Sequence, residues 1–259
     1  RTDAHTAVLY GGLQYDMDDT AMENEAKKYD LDNLFVQRGD MARGDSVYHE
    51  LQGTKEEVFR IYTILKGKKW NVVPYMGTDG TEESFLAMHG KSPCLLHLAT
   101  HGFYYTPSKA ADVNYLKGYT DAMSLSGLVL SGGNAAWLGK RLPKGVLGGI
   151  LTANDIARLD LSNTDMVVLS ACQTGQGKAT SEGLYGLQRA FKKAGVGTIV
   201  MSLWNVDDRV TSEFMATFYE RLTDKANALD KRKAFEEAKQ IVRKNHPDPY
   251  HWAAFVMLD

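Results

Sequence analysis

Short apolar runs alternate along the chain with longer amphipathic stretches, and that alternation predicts an α/β protein. Thr6–Leu13 reads as a first strand ending at a glycine turn, and Trp70–Tyr75 as a second. Leu95–Thr100, Met166–Leu169 and Thr198–Trp204 are continuous apolar runs, as suits strands buried on both faces of a parallel sheet. Trp252–Leu258 closes the chain as a last strand. Helices are predicted between these runs. One begins near Asp16, Asp18 and Asp19 and continues through Lys27. Another starts at Thr54, where Glu57 completes a capping-box pattern, carries an apolar stripe of Val58, Ile61, Tyr62 and Leu65, and stops at Gly67. Thr81–His89 and Ile150–Leu159 are short helices, and Glu182–Ala194 is amphipathic, with Leu184, Leu187, Phe191 and Ala194 on one face. Asp208 reads as the N-cap of a helix bearing Val210, Phe214, Phe218 and Leu222, and Ala226–Lys244 follows with Ala234, Ala238 and Ile241 inward. Strands alternating with helices mean a mostly parallel β-sheet with helices on both faces.

Two stretches break the pattern. Asp30–Ser46 is polar and glycine-bearing and reads as a loop. Within it Arg43-Gly44-Asp45 spells an integrin-binding tripeptide, too short to carry weight. Residues 103–150 form a long irregular excursion between core strands, of the kind that is often functional. Within it Leu125–Asn134 reads as a short hairpin or edge strand.

Composition narrows the classes. At 259 residues the chain buries a substantial core, and 44% hydrophobic with 24% charged content is ordinary for a globular protein. A net charge of −2 gives no electrostatic case for nucleic acid, and no apolar run approaches the roughly 18 residues needed to span a bilayer. Two cysteines make no disulfide framework, which points to the cytoplasm. The chain opens at Arg1 without a Met, as a fragment of something longer would.

The candidate chemistry lies at two strand ends. Cys94-Leu-Leu-His-Leu-Ala-Thr-His-Gly102 and Val167-Val-Leu-Ser-Ala-Cys-Gln-Thr-Gly175 each run from an apolar strand into polar residues and a glycine. Open α/β sheets carry their chemistry at that carboxyl edge. If the two strands are neighbours, His101 and Cys172 emerge together, and an imidazole there can take the thiol proton. A cysteine at a strand end is, taken alone, more often a small buried hydrophobe, and Cys94 reads as inert core. His97 and His101 stand four apart, but on a strand they share a face with no third ligand, so a packed His97 is preferred to zinc. The glycines of Gly175–Gly183 lack the Gly-Lys-Ser/Thr ending of a phosphate loop.

The two strand-end motifs resemble the paired signatures of the CHAT peptidases, bacterial caspase-like cysteine proteases of the clan that includes separase and the metacaspases. Ser126–Leu130, Gly149–Ala153, Glu182–Leu184, Ser202–Asp208 and Tyr250–Val256 resemble further blocks of that family, from about residue 94 to the end. Asp30–Ser46 matches none of it. The resemblance implies a single caspase-like domain over residues 1–259, with 103–150 an irregular insertion near the active site and tetratricopeptide repeats N-terminal to it. It implies a cysteine endopeptidase that cleaves a specific protein substrate without cofactor or metal, regulated by a partner or by the repeat region. His101 would be the base and Cys172 the nucleophile, with the N–H groups of Gly102 and Cys172 holding the oxyanion. Clan relatives cut after Arg or Lys, which makes Asp207, Asp208, Asp16 and Asp18 candidates for binding the side chain, with Asp207 favoured because Asp208 is expected to cap the helix. The loops at 103–150 and 175–181 are candidates for a gate that orders when a partner or substrate binds. A non-proteolytic Cys–His acyl-transfer enzyme, such as an amidotransferase, and a protease-like interaction module without turnover are the alternatives.

Overall fold

The computed structural model describes residues 5–31, 44, 46–105, 122–170 and 181–259. In chain order these form β1 (Thr6–Leu13), α1 (Asp19–Ala26), α2 (Gln52–Gly67), β2 (Asn71–Gly77), α3 (Glu82–Leu86), β3 (Leu95–Leu98) and β4 (Gly102–Tyr104). There follow α4 (Ala122–Leu125), β5 (Ser126–Val129), α5 (Gly133–Trp137), β6 (Ile150–Thr152), α6 (Ala153–Ile156) and β7 (Met166–Leu169). The chain closes with α7 (Ser181–Lys193), β8 (Thr198–Ser202), α8 (Asp208–Leu222), α9 (Lys231–Asn245), α10 (Pro249–Trp252) and β9 (Phe255–Leu258).

A six-stranded sheet, ordered β2-β1-β3-β7-β8-β9, forms the centre. All its neighbouring pairs are parallel except β8 and β9. The alternation of side chains across a strand divides the core in two. From β1, Ala7 and Leu9 pack on α2, α8 and α9, and Val8 and Tyr10 pack on the opposite face, where α3 and α7 lie. Helices therefore cover both faces, as the continuous apolar strands require.

A second sheet of three antiparallel strands, β4-β5-β6, comes from residues 102–152. It makes Leu125–Asn134 neither hairpin nor edge: β5 is the central strand, and α5 follows directly. Glu82 and Glu83 in the first turn of α3 are buried and stitch this sheet to the larger one. Glu83 accepts from Leu147 N–H at 2.7 Å, and Glu82 from Ile150 N–H at 3.2 Å. The expected helix from Ile150 begins three residues later, because Thr152 and Asp155 form a reciprocal capping box that fixes its start.

Capping corrects other boundaries. α2 begins at Gln52, and Thr54 sits inside its first turn rather than at its cap. Thr54 Oγ1 donates to Leu51 O and accepts from Gly12 N–H at 2.9 Å, tying the helix to β1. Gly11 makes this approach feasible, since a Cβ there would lie 2.5 Å from Val58 Cγ2 and 2.8 Å from Thr54 O. Asp207, not Asp208, caps α8, accepting from Arg209 and Val210 N–H. The helix expected from Ala226 starts at Lys231 behind the cap Asp230, because Ala228 and Leu229 hold positive φ. Pro249–Trp252 is a helical turn capped by Asp248, so the last strand is confined to Phe255–Leu258.

Candidate active site

β3 and β7 are adjacent and parallel, with Leu98 opposite Leu169. Beyond the pairing, Ser170 N–H donates to Leu98 O at 3.0 Å, so the two chains leave the carboxyl edge side by side. His101 is the third residue past Leu98, and Cys172 the third past Leu169. Cys172 lies outside the described residues, as does the expected gate loop through position 180 and most of Asp30–Ser46.

His101 bridges the two sheets, sitting between the end of β3 and Gly102, the first residue of β4. Its carbonyl accepts from Val129 N–H at 2.8 Å, which extends the β4–β5 ladder back to it. The side chain is buried, 6% exposed, with Tyr15 and Tyr48 rings each 5.0 Å from its own. Nε2 lies 2.7 Å from the carbonyl oxygen of His49. A carbonyl only accepts, so Nε2 carries the proton, and in the neutral ring Nδ1 is the nitrogen able to take another. The Tyr15 hydroxyl meets Thr100 Oγ1 at 2.8 Å and accepts from the His101 backbone N–H. Burial outweighs those bonds and pushes the Tyr15 phenol up to about 12, keeping it neutral. The sequence motifs gave no sign of His49, which acts through its backbone, or of the two tyrosines, which read as ordinary core aromatics.

Gly102 lies in β4 with ordinary backbone. Among the described residues, a Cβ there would meet Gly127 O at 3.6 Å and Leu128 Cδ2 at 4.0 Å, which is normal contact. Nothing in the packing of the described residues requires glycine. Val129 N–H bonds to His101 O and Tyr105 N–H to Leu125 O, so the odd-numbered residues face β5. The alternation of an antiparallel ladder then turns the Gly102 N–H away from β5, to the outer edge of the small sheet.

His97 does not share a face with His101. β3 ends at Leu98, so the period of two does not carry on to residue 101. His97 is fully buried against α2 and α8, with Nε2 2.8 Å from Glu57 Oε1 and Nδ1 3.0 Å from the Tyr219 hydroxyl. Burial, reinforced by the Glu57 carboxylate, holds the Tyr219 phenol well above its ordinary pKa. Tyr219 thus stays neutral and can donate to Nδ1 while the ring donates from Nε2 to Glu57. Both ring nitrogens are engaged without a metal.

The four candidate acids divide. Asp18 caps α1 through Ala21 N–H, and Asp207 caps α8. Asp16 Oδ1 accepts from Asn134 Nδ2 at 3.0 Å, at the mouth of an open groove of about 830 Å³ that Lys140 and Arg141 also line. Asp208 borders a narrow polar recess of about 30 Å³ at the carboxyl edge, with Thr54, Glu57, Ser170, Ser202 and Thr211. Partial burial, then the carboxylates of Asp207 and Glu57, raise the Asp208 pKa. Cys94 is half-buried rather than core, because it precedes β3 at the amino end of the sheet, the edge opposite His101.

Residues 16–259 match the family model described as the CHAT domain. The chain belongs to the CHAT domain family. Its fold is a caspase-like, mostly parallel sheet with helices on both faces. A solved structure of the Arg-specific cysteine proteinase gingipain R superposes with a TM-score of 0.54 at 10% identity, covering 98% of this chain and 45% of that one. The complex of Porphyromonas gingivalis RgpB pro- and mature domains gives a TM-score of 0.51 at 10% identity, with 97% and 46% coverage. Among curated proteins, tetratricopeptide repeat protein 28 of Mus musculus is 35% identical over 111 residues, and that of Homo sapiens 34%. Those matches cover 42% of this chain but only 4% of each relative. No helix among the described residues is long and apolar enough to cross a membrane.

Proposed function

We propose that this CHAT domain is a cysteine endopeptidase working through His101 and Cys172. The observation that supports the reading is the register of β3 and β7: Leu98 pairs with Leu169, and in the sequence His101 and Cys172 each follow three positions later. His101 Nδ1 takes the proton from Cys172 Sγ, and the thiolate attacks the scissile carbonyl carbon. The oxyanion is held by the N–H groups of Gly102 and Cys172, which the outward turn of the Gly102 N–H supports. The tetrahedral intermediate collapses to a thioester, and the departing amine takes its proton from His101. Water, deprotonated by His101, then releases the acid and restores the thiol.

The reading extends to a basic residue before the scissile bond. With Asp18 and Asp207 committed to caps, Asp208 in the recess beside Ser170 is the acid proposed to face it, and Asp16 the second. An Arg held by such a carboxylate gains about 1.5–3 kcal/mol in charge-assisted hydrogen bonds, or about a ten- to hundredfold preference. Regulation by a partner or by a tetratricopeptide region is part of the proposal, supported by the names of the curated relatives.

The test is a mutant cycle read on cleavage of a protein substrate. Cys172→Ala and His101→Ala should each abolish turnover, and the double variant should be scarcely worse than either, since the pair acts as a unit. Substantial proteolysis by Cys172→Ala contradicts the assignment. A peptide library addresses the second claim: cleavage mainly after apolar residues, or a basic preference that survives both Asp208→Asn and Asp16→Asn, removes it.

A further inference from the structure

Asn134, in α5, is 1% exposed and lies outside both strand-end motifs. Its side chain accepts from Tyr48 N–H at 2.8 Å through Oδ1 and donates to Tyr48 O at 3.0 Å through Nδ2. It thus grips that residue's backbone on both sides, as a paired strand would. The second Nδ2 proton goes to Asp16 Oδ1 at 3.0 Å, and the Asn134 backbone N–H to Tyr15 O at 3.1 Å. Two of the residues it holds, Tyr15 and Tyr48, pack on His101. Tyr48 and Tyr15 supply two adjacent rings packed against the imidazole, and the residue after Tyr48, His49, supplies the carbonyl that takes the Nε2 proton.

Residues 46–51 form no helix or strand of their own. With no ladder along these residues, the two-point amide grip on Tyr48 is a direct constraint on the backbone that carries the His49 carbonyl. We infer that Asn134 is a positioning residue: by pinning Tyr48 it holds the His49 carbonyl against His101, fixing the ring in its Nε2-protonated tautomer. The inference rests on the proposed role of His101 only for its consequence in catalysis. The same amide touches Asp16, so the carboxylate at the open groove and the imidazole share one support.

The experiment reads the tautomer directly. ¹⁵N spectra of histidine-labelled protein are recorded in the Cys172→Ala background at about pH 8, above the ordinary histidine pKa near 6.5, so that the ring is neutral. The parent should show His101 as a single tautomer protonated at Nε2. Asn134→Asp keeps the shape but loses both Nδ2 donors and sets a carboxylate against Asp16 and Tyr48 O. It should convert His101 to a mixture of tautomers. Asn134→Ser, which retains one small acceptor, should do so partially. His97, held separately by Glu57 and Tyr219, should be unchanged in every variant and reports that the fold persists. In the Cys172-bearing enzyme, Asn134→Asp should lower kcat by about tenfold or more.

A parent His101 protonated at Nδ1, or a folded Asn134→Asp variant with an unchanged Nε2 tautomer, overturns the inference. Unfolding of both variants makes Asn134 a purely structural residue and overturns it as well. The spectra need no turnover, so absence of cleavage would refute the proposed function while leaving the tautomer result to decide this one.

Discussion

Two histidines four positions apart on one motif end in opposite circumstances. His97 has both nitrogens engaged beneath the sheet, while His101 has one nitrogen committed to a carbonyl and lies at the edge beside the chain that continues to Cys172. The acids show the same division, and Asp208 yields a prediction with a definite sign. Its folded-state pKa is raised, so ionisation is disfavoured by folding. The stability it contributes is fully present below its ordinary pKa, near 3.9, and is lost as pH rises through the raised value. Asp208→Asn should therefore raise the melting temperature at neutral pH, with the gain disappearing as pH falls below the ordinary carboxylate range. Equal gains at both pH values would contradict the assignment. The two thiols give a second prediction. Cys172 should be alkylated near neutral pH much faster than Cys94, which stands at the far end of β3, and His101→Ala should slow only Cys172. Equal rates in the folded protein would count against an activated thiolate.

At the scale of elements, the strands of the central sheet were legible because parallel strands covered on both faces read as unbroken apolar runs. Boundaries set by caps were less so. In Asn205-Val206-Asp207-Asp208 either acid can accept from the helix, and only the backbone geometry selects Asp207. The small sheet was hidden because β4 and β6 span three residues each, too short for a period to show. The histidine clamp was hidden for another reason: its decisive atom is a backbone carbonyl, which leaves no trace in residue type. α2 joins these pieces, since it packs on Gly11, buries Glu57 on His97 and follows directly from the His49 segment. Glu57→Leu should leave the His97 Nε2 proton without a partner and cost about 1–3 kcal/mol in chemical denaturation. Gly11→Ala should overpack the contact of α2 with β1, at about 1–3 kcal/mol. Unchanged denaturation midpoints in both variants would show that α2 is not held in this way.

For the whole molecule, the family and the fold stand on a match across residues 16–259, while the chain spans less than half of the gingipain chains it superposes on. The matched stretch is only 4% of each curated relative's length. If a tetratricopeptide region or a bound partner controls the domain, the 259 residues alone should cleave more slowly than in the presence of such a region or partner, and equal rates would dismiss that control. The central claim, peptide-bond cleavage by Cys172 with His101, is tested most directly by mass spectrometry of new peptide termini. Candidate proteins or a whole lysate are incubated with the wild-type domain and with Cys172→Ala. The account predicts a small set of termini, enriched after Arg or Lys, that appear with the wild type and vanish with Cys172→Ala. Identical termini in both samples would contradict it, leaving a module that binds without turnover, or, if a small amide is consumed instead, an acyl-transfer enzyme.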